Sequence, residues 1–395
     1  MFDTIYVHAG LPKTGSTFIQ NGLQALSRAG LLRRVAYPVA NPELGSGNGS
    51  ALSQALIFTN PAETTRPQLE SHVDDLLNAN RGPARNLLIS SEDLCYADVE
   101  KFARLKEVLL THGKEVRLIV SARPLRAWTY SVYLQLVKAH ALAADYDGAW
   151  LEAHSGDFLY YFRNLDRFNV DAITFRYRGK GLLRVFLQVI GEDEGLASEV
   201  PDAVANRSLS LEELEVMKTV NRVFQDEAVS RLISRHLVKA EPSREGARFP
   251  ARCEDQFQAF ASAFALKLDR FPGPVMNAIK KILFDEQPSP PVAGRGNDGA
   301  GNDGDDRDGL PVFEVEVALR ALRELLDAKG GSGAAHDQLL AYAARLQRTN
   351  DSFDPIHYLL MHPDVLSAGM DPWLHFQEHG RAEGRAGAFK PRGPV

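Results

Sequence analysis

Four short apolar runs punctuate the first half of the chain: TIYVHA (residues 4–9), NLLIS (86–90), VRLIVSA (116–122) and AITFRY (172–177). Apolar residues stand at consecutive rather than strictly alternate positions, the pattern of a strand buried on both faces. Between the runs lie stretches such as FIQNGLQAL, LKEVLLTHG and GLLRVFLQVIG, whose apolar positions recur at helical spacing. Strands alternating with helices predict an α/β fold with a doubly wound parallel sheet. Such sheets bind ligands beyond the carboxyl ends of their strands. That rule selects Pro12-Lys13-Thr14-Gly15-Ser16-Thr17 after the first run, Ser91-Glu92-Asp93 after the second, Arg123 after the third and Arg178-Gly179-Lys180-Gly181 after the fourth.

The pattern breaks at residues 289–311, where Gly, Asp, Asn and Pro dominate and too little apolar surface is available to order the chain. No register there supplies D-x-[DN]-x-[DN]-G, so the aspartates read as a solvated, disordered linker rather than a calcium loop. The linker is expected to separate a domain over 1–288 from a small all-α domain over 312–395. In FEVEVALRALRELLDAK (313–329), Val315, Leu319, Leu322 and Leu326 share one helical face, and DQLLAYAARLQ (337–347) predicts a second helix.

Composition narrows the function classes. The 395 residues are 44% hydrophobic and 24% charged, with a formal net charge of -6, so nothing attracts a nucleic acid globally and any anion site must come from local placement of basic groups. Two distant cysteines, Cys95 and Cys253, lack metal spacing and fit a reducing compartment. Neither a signal peptide nor a membrane span is legible, and a cytoplasmic location is expected.

The segment HAGLPKTGSTFIQNGL (8–23) carries the most specific chemistry. Strand, glycine turn and helix start aim free backbone N–H groups and the positive helix end at one point, an anion site to which Lys13 adds a full charge. Gly10 and Gly15 have the spacing of the common nucleotide loop, but Ser16 stands where that loop has its lysine. The order Pro-Lys-Thr-Gly-Ser-Thr resembles instead the 5′-phosphosulfate loop of sulfotransferases that use 3′-phosphoadenosine 5′-phosphosulfate (PAPS). The resemblance implies that Lys13 reaches the oxygen bridging phosphate and sulfate, while Thr14, Gly15, Ser16 and Thr17 hold the 5′-phosphate.

The donor's 3′-phosphate requires a second anion site. Arg123 at a strand end, Pro124 at a first helical position and Ser131 two turns later match that family's 3′-phosphate motif. Arg126 is expected to face solvent or the helix dipole; Trp128 and Tyr130 are expected in the core or near the adenine. The basic turn from Arg176 to Gly181, with Arg178 and Gly179, sits where similar enzymes approach the nucleotide. Transfer to a hydroxyl needs a general base. The family uses histidine or glutamate, and Ser-Ser-Glu-Asp-Leu looks like the segment of members that modify sugars or peptides, which implies Glu92 as base. Asp93 is the alternative, and a plain helix-capping charge is the structural reading of either. His8 reads as a buried strand histidine satisfied by hydrogen bonds. The loop GSGNGSALSQAL (45–56) reads as a flexible flank of an acceptor cleft. In AVANRSLSLEEL, Ser208 or Ser210 can cap a helix from Leu211, with Glu213 completing a capping box, while Asn206 and Arg207 are cleft candidates.

Residues 353–385 hold His357, His362, His375 and His379. The segment resembles a short repeat of bacterial surface-glycan-associated proteins, in which histidines and aromatics pack a small helical unit, and packing is favoured over zinc. These readings point to a bacterial sulfotransferase acting without a metal on a hydroxyl of a carbohydrate or glycoconjugate, with a glycan-assembly partner docking on the C-terminal segment. The competing readings are an ATP-dependent P-loop phosphotransferase and a noncatalytic glycan-binding or scaffold protein.

Overall fold

A computed structural model describes residues 1–38, 47–58, 65–78, 84–168, 170–177, 181–200, 207–240, 245–285, 312–327, 353–362, 364–365, 368 and 370–387. In chain order the principal elements are β1 (Phe2–His8), α1 (Ser16–Arg28), β2 (Val35–Ala36), α2 (Ser50–Phe58), α3 (Arg66–Asn78), β3 (Asn86–Ser90), α4 (Val99–His112), β4 (Gly113–Ala122), α5 (Leu125–Ala139), α6 (Gly148–Ala153), α7 (Ser155–Tyr160), β5 (Asp171–Arg176), α8 (Leu182–Val189), α9 (Leu211–Phe224), α10 (Glu227–Ala240), α11 (Glu254–Leu268), α12 (Pro274–Leu283), α13 (Val312–Asp327) and α14 (Pro355–Met361). They group into two compact units: residues 1–129, 147–205 and 251–287 form the first, and residues 130–146, 206–250 and 288–395 the second. The second unit thus draws its residues from both sides of the segment 289–311, which itself lies outside the described residues together with the expected helix over 337–347.

The first unit is an α/β structure around a five-stranded sheet ordered β2-β3-β1-β4-β5, parallel throughout. Val7 stands opposite Ile89 on one side and Leu118 on the other. Tyr6, Leu88, Ile119 and Phe175 pack against Ile19 and Leu23 of α1 and Leu183 and Phe186 of α8. The alternate strand residues Ile5, Val7, Ile89, Leu118 and Val120 are fully buried as well, so the sheet is covered on both faces, as the unbroken apolar runs predict. Each such side chain contributes about 1.5–3 kcal/mol of hydrophobic stabilisation.

All four predicted strands are present; β2 is the addition. Its two residues are too few for a pattern, and it is held by a side chain far away in sequence. The buried Glu192 accepts backbone N–H bonds at Oε1 from Arg33 (3.1 Å), Arg34 (2.6 Å) and Val35 (2.7 Å), which satisfies a carboxylate that burial would otherwise penalise. Chain order then runs β1 to the β2 edge, back to β3 beside β1, and across to β4 and β5. The chain therefore leaves β1 in opposite directions, and the carboxyl ends of β3, β1 and β4 meet where a ligand has room.

The second unit is helical. Asn221 of α9 donates to the carbonyls of Val137 and Leu142, each at 2.8 Å, and accepts from Ser230 of α10 at 2.7 Å. Ser210 and Glu213 form the expected capping box at the start of α9. Arg207 lies in this unit in a buried two-pronged pair with Glu213 and donates to the Leu237 carbonyl, so its guanidinium is spent on helix packing and not on a cleft. Phe353, Tyr358, Leu359, Val365 and Phe376 form a small aromatic cluster with Trp373, and His375 Nδ1 lies 2.9 Å from the Tyr358 hydroxyl inside it. His375 is a packing histidine. Among the described residues, no helix is long and apolar enough to cross a membrane.

Candidate functional site

The turn after β1 is shaped by its backbone. Ala9 and Leu11 carry the ladder past the strand by donating to the carbonyls of Ile119 and Ser121. Lys13 (φ 63°) and Gly15 (φ 86°) then adopt the left-handed conformation, and α1 starts at Ser16 with no side chain capping it. A left-handed non-glycine residue costs on the order of 1–3 kcal/mol and persists only where its surroundings over-determine it. Those surroundings are visible. The Thr14 hydroxyl, fully buried, donates to the Leu11 carbonyl at 2.5 Å and lies 2.6 Å from Ser121 Oγ. Trp128, also fully buried, donates from its indole N–H to the Pro12 carbonyl at 2.8 Å. The turn is thus clamped from β4 and α5, and no side chain caps the start of α1. Of the residues expected to hold phosphate, Thr14 offers only its backbone, whereas Thr17 is exposed on the first turn of α1. The Ser16 hydroxyl is buried without a hydrogen bond of full geometry.

Arg123 follows β4 with its guanidinium 4.9 Å from the centre of the Tyr177 ring. Burial lowers its affinity for the proton, and Tyr177 counters this. Tyr177 also touches the loop: a Cβ added to Gly15 would lie 2.9 Å from Tyr177 Cε2 and would collide with Leu182. One aromatic ring therefore lies against both Arg123 and the Lys13 turn. Lys13 is depressed chiefly by burial; Glu92 pulls its pKa back up, and Arg123 pushes it further down. Lys13, Glu92 and Arg123 thus share one electrostatic environment although 79 and 31 residues separate them along the chain (92 − 13 and 123 − 92).

Glu92 opens a short helical turn after β3, with Ser91 in extended conformation before it. Burial pushes the Glu92 carboxyl above the ordinary glutamate range and Asp93 pushes the same way; Lys13 pulls it down, and the nearby Ser16 hydroxyl adds a smaller pull. Asp93 is raised by burial alone. Beyond them Tyr96 and Tyr161 stand with ring centres 5.1 Å apart, both held protonated by burial and by the field of Glu92. A carboxylate near a lysine, with raised proton affinity and an aromatic wall, can accept a proton from a hydroxyl.

Beneath the turn, His8 Nδ1 lies 2.9 Å from Ser90 Oγ, to which Gln20 donates at 3.2 Å. Asn48 borders β3 as a strand would, donating to the Leu88 carbonyl and accepting from the Ser90 N–H, both at 2.8 Å. Residues 47–58 are consequently not a flexible flank. They form a turn pinned to β3 followed by α2, because one asparagine reproduces a ladder pair that composition alone does not reveal.

Four of the expected groups therefore converge: the Lys13 turn, Ser16, Glu92 and Arg123. Ser131 is half-buried further along α5, in the stretch that groups with the second unit. Arg178, Gly179 and Asn206 lie outside the described residues. Arg176 is paired with Asp285; Arg126 is partly exposed to solvent, as expected, and also pairs with Glu254 at 2.5 Å over the Phe257 ring. Trp128 and Tyr130 are buried in the core, as expected; missed from the sequence were Tyr177 and Asn48, whose supporting roles leave no spacing signal. Comparison with protein-family models, with curated proteins and with solved structures finds no match to the chain.

Proposed function

We propose that this chain is a PAPS-dependent sulfotransferase whose Lys13 turn is the phosphosulfate loop of a P-loop-type fold and whose acceptor is a hydroxyl of a carbohydrate or glycoconjugate. The observation that carries the reading is the electrostatic convergence of Lys13, Glu92 and Arg123 at the ends of three neighbouring parallel strands. Two cations beside a carboxylate, with Lys13 between Arg123 and Glu92 in strand order, suit a donor with anionic groups at both ends and a neutral acceptor that must lose a proton. Gly15 supports it too, since a side chain there would close the space between the loop and Tyr177.

In this scheme the acceptor oxygen attacks sulfur, the bond from sulfur to the bridging oxygen breaks, and that bond's electron pair leaves on the 5′-phosphate. Glu92 takes the hydroxyl proton. Lys13 neutralises charge on the departing phosphate, and Arg123 binds the 3′-phosphate in a two-pronged grip. Catalysis is then mainly positioning and electrostatics. A raised Glu92 pKa serves the role, because a base works best when its proton affinity approaches the working pH. Carbohydrate as the acceptor class, cytoplasm as the location and the small helical C-terminal part as a docking element for glycan assembly rest on the resemblance and belong to the proposal.

Calorimetric titration with adenosine 3′,5′-bisphosphate, ATP and ATP with magnesium tests it. Tight, selective binding of the bisphosphate is expected; ATP preference would support a phosphotransferase, and binding of neither a scaffold.

A further inference from the structure

His8 ends β1 and is fully buried under the Lys13 turn. Its ring packs edge-on against Phe186, which fixes its plane. Gln20 donates to Ser90 Oγ, and we assign the Ser90 proton to His8 Nδ1, one of the two directions that contact allows. The ring proton then resides on Nε2. Burial drives the His8 pKa down to about 3, so the imidazole is neutral at ordinary pH and this tautomer is the relevant species.

Nε2 has no hydrogen-bond partner, which is uncommon for a buried donor and calls for an explanation. Its neighbours indicate one. A carbon at the Cβ position of Gly10 would lie 2.9 Å from His8 Nε2, 2.7 Å from Ser121 Oγ and 3.0 Å from Ser16 Oγ. Glycine is the residue that leaves these three polar atoms unobstructed. Ser121 is engaged by Thr14 and the Ser16 hydroxyl lies toward Glu92, which leaves His8 Nε2 as the unmatched member of the three. One unmatched donor, His8 Nε2, therefore borders the underside of a turn whose helix start has no side-chain cap and whose lysine attracts negative charge.

We propose that His8 is an anion-positioning residue: an oxyanion of phosphate or sulfate type seated in the Lys13 turn takes up the Nε2–H, with the Ser16 hydroxyl beside it. The Gln20–Ser90 pair keeps the proton on the correct nitrogen. This deepens the phosphosulfate-loop reading and rests on it. The contribution is that of a neutral donor, so it supplies direction rather than charge, and Lys13 supplies the charge.

The test uses the full chain carrying ¹⁵N-labelled histidine, titrated with adenosine 3′,5′-bisphosphate. The His8 signals are identified by their absence from the His8→Gln spectrum. On saturation the Nε2 resonance is expected to move while Nδ1 stays near its starting position. His8→Leu should bind the bisphosphate roughly tenfold to hundredfold more weakly, the loss of one hydrogen bond to a charged acceptor, and His8→Gln, which keeps an N–H, should recover part of that affinity. Bisphosphate bound normally with an unmoved Nε2 overturns this inference and leaves the sulfotransferase reading standing; no bisphosphate binding to the unaltered chain overturns both. Should His8→Leu fail to fold, the Nε2 response of the unaltered chain decides alone.

Discussion

Lys13 and Glu92, one after β1 and the other after β3, each offset the other's tendency to become neutral. Burial is the larger influence on both, so Glu92 still sits above the ordinary glutamate pKa and Lys13 below the ordinary lysine one. Shifts of this direction at a site of coupled charges mark groups suited to exchanging protons.

The coupling fixes the direction of a titration experiment. Lys13→Met removes the strongest influence keeping Glu92 ionised, so its carboxyl should titrate at higher pH than in the unaltered chain. Asp93→Asn removes a neighbouring like charge and should move it lower. Carboxyl-carbon NMR of labelled glutamate reads both shifts, and in an acceptor assay the acid limb of activity should follow them. Shifts in the same direction for the two variants would contradict the arrangement.

Stability follows with its own sign. A raised Glu92 pKa gives a contribution present below the ordinary glutamate value and lost as pH rises through the folded value. A lowered Lys13 pKa gives one present above the ordinary lysine value and lost as pH falls through the folded value. Burial outweighs the mutual attraction for both groups, so the charged form of each is held at a net cost. The double variant Lys13→Met, Glu92→Gln removes both costs and should therefore be inactive yet at least as stable as the unaltered chain near pH 7. Urea unfolding at pH 7 measures it.

Arg123 offers a way to separate the two ends of the donor. Lysine at this position keeps a charge but loses the planar fork and its stacking on Tyr177. Arg123→Lys should weaken adenosine 3′,5′-bisphosphate about tenfold or more while changing adenosine 5′-phosphosulfate, which lacks the 3′-phosphate, by less than about twofold. Equal losses for both ligands would place Arg123 elsewhere on the donor.

Much of this site is legible in the chain because strand ends are legible. Unbroken apolar runs locate β1, β3, β4 and β5, and the residues after them include Lys13, Glu92 and Arg123. What supports those three is not legible in the same way. Trp128 reaches Pro12 across 116 residues, and Asn48 completes β3 from a glycine-rich stretch, pairings set by tertiary packing rather than by local pattern. His8 was expected to be satisfied by hydrogen bonds, and only Nδ1 is. Arg207 is a cleft candidate in the sequence, yet Glu213 neutralises it once the helices are in place, and Arg126, read as facing solvent or the helix dipole, pairs with Glu254.

Gly15 and Gly30 make a controlled comparison, since they flank the same helix and both adopt left-handed backbone, at φ 86° and 66°. A Cβ on Gly30 would meet nothing within 4 Å, so Gly30→Ala bears only the backbone penalty, about 1 kcal/mol. A Cβ on Gly15 would press on Tyr177 and Leu182, and these are parts of a packed core with little freedom to retreat. Gly15→Ala should cost about 2–4 kcal/mol, and the excess over Gly30→Ala in denaturant unfolding isolates the crowding. Because the displaced ring is the one beneath Arg123, Gly15→Ala should also lose bisphosphate affinity, whereas Gly30→Ala should retain it. Equal unfolding losses for the two variants, with binding intact in both, would mean that Tyr177 does not tie the turn to Arg123.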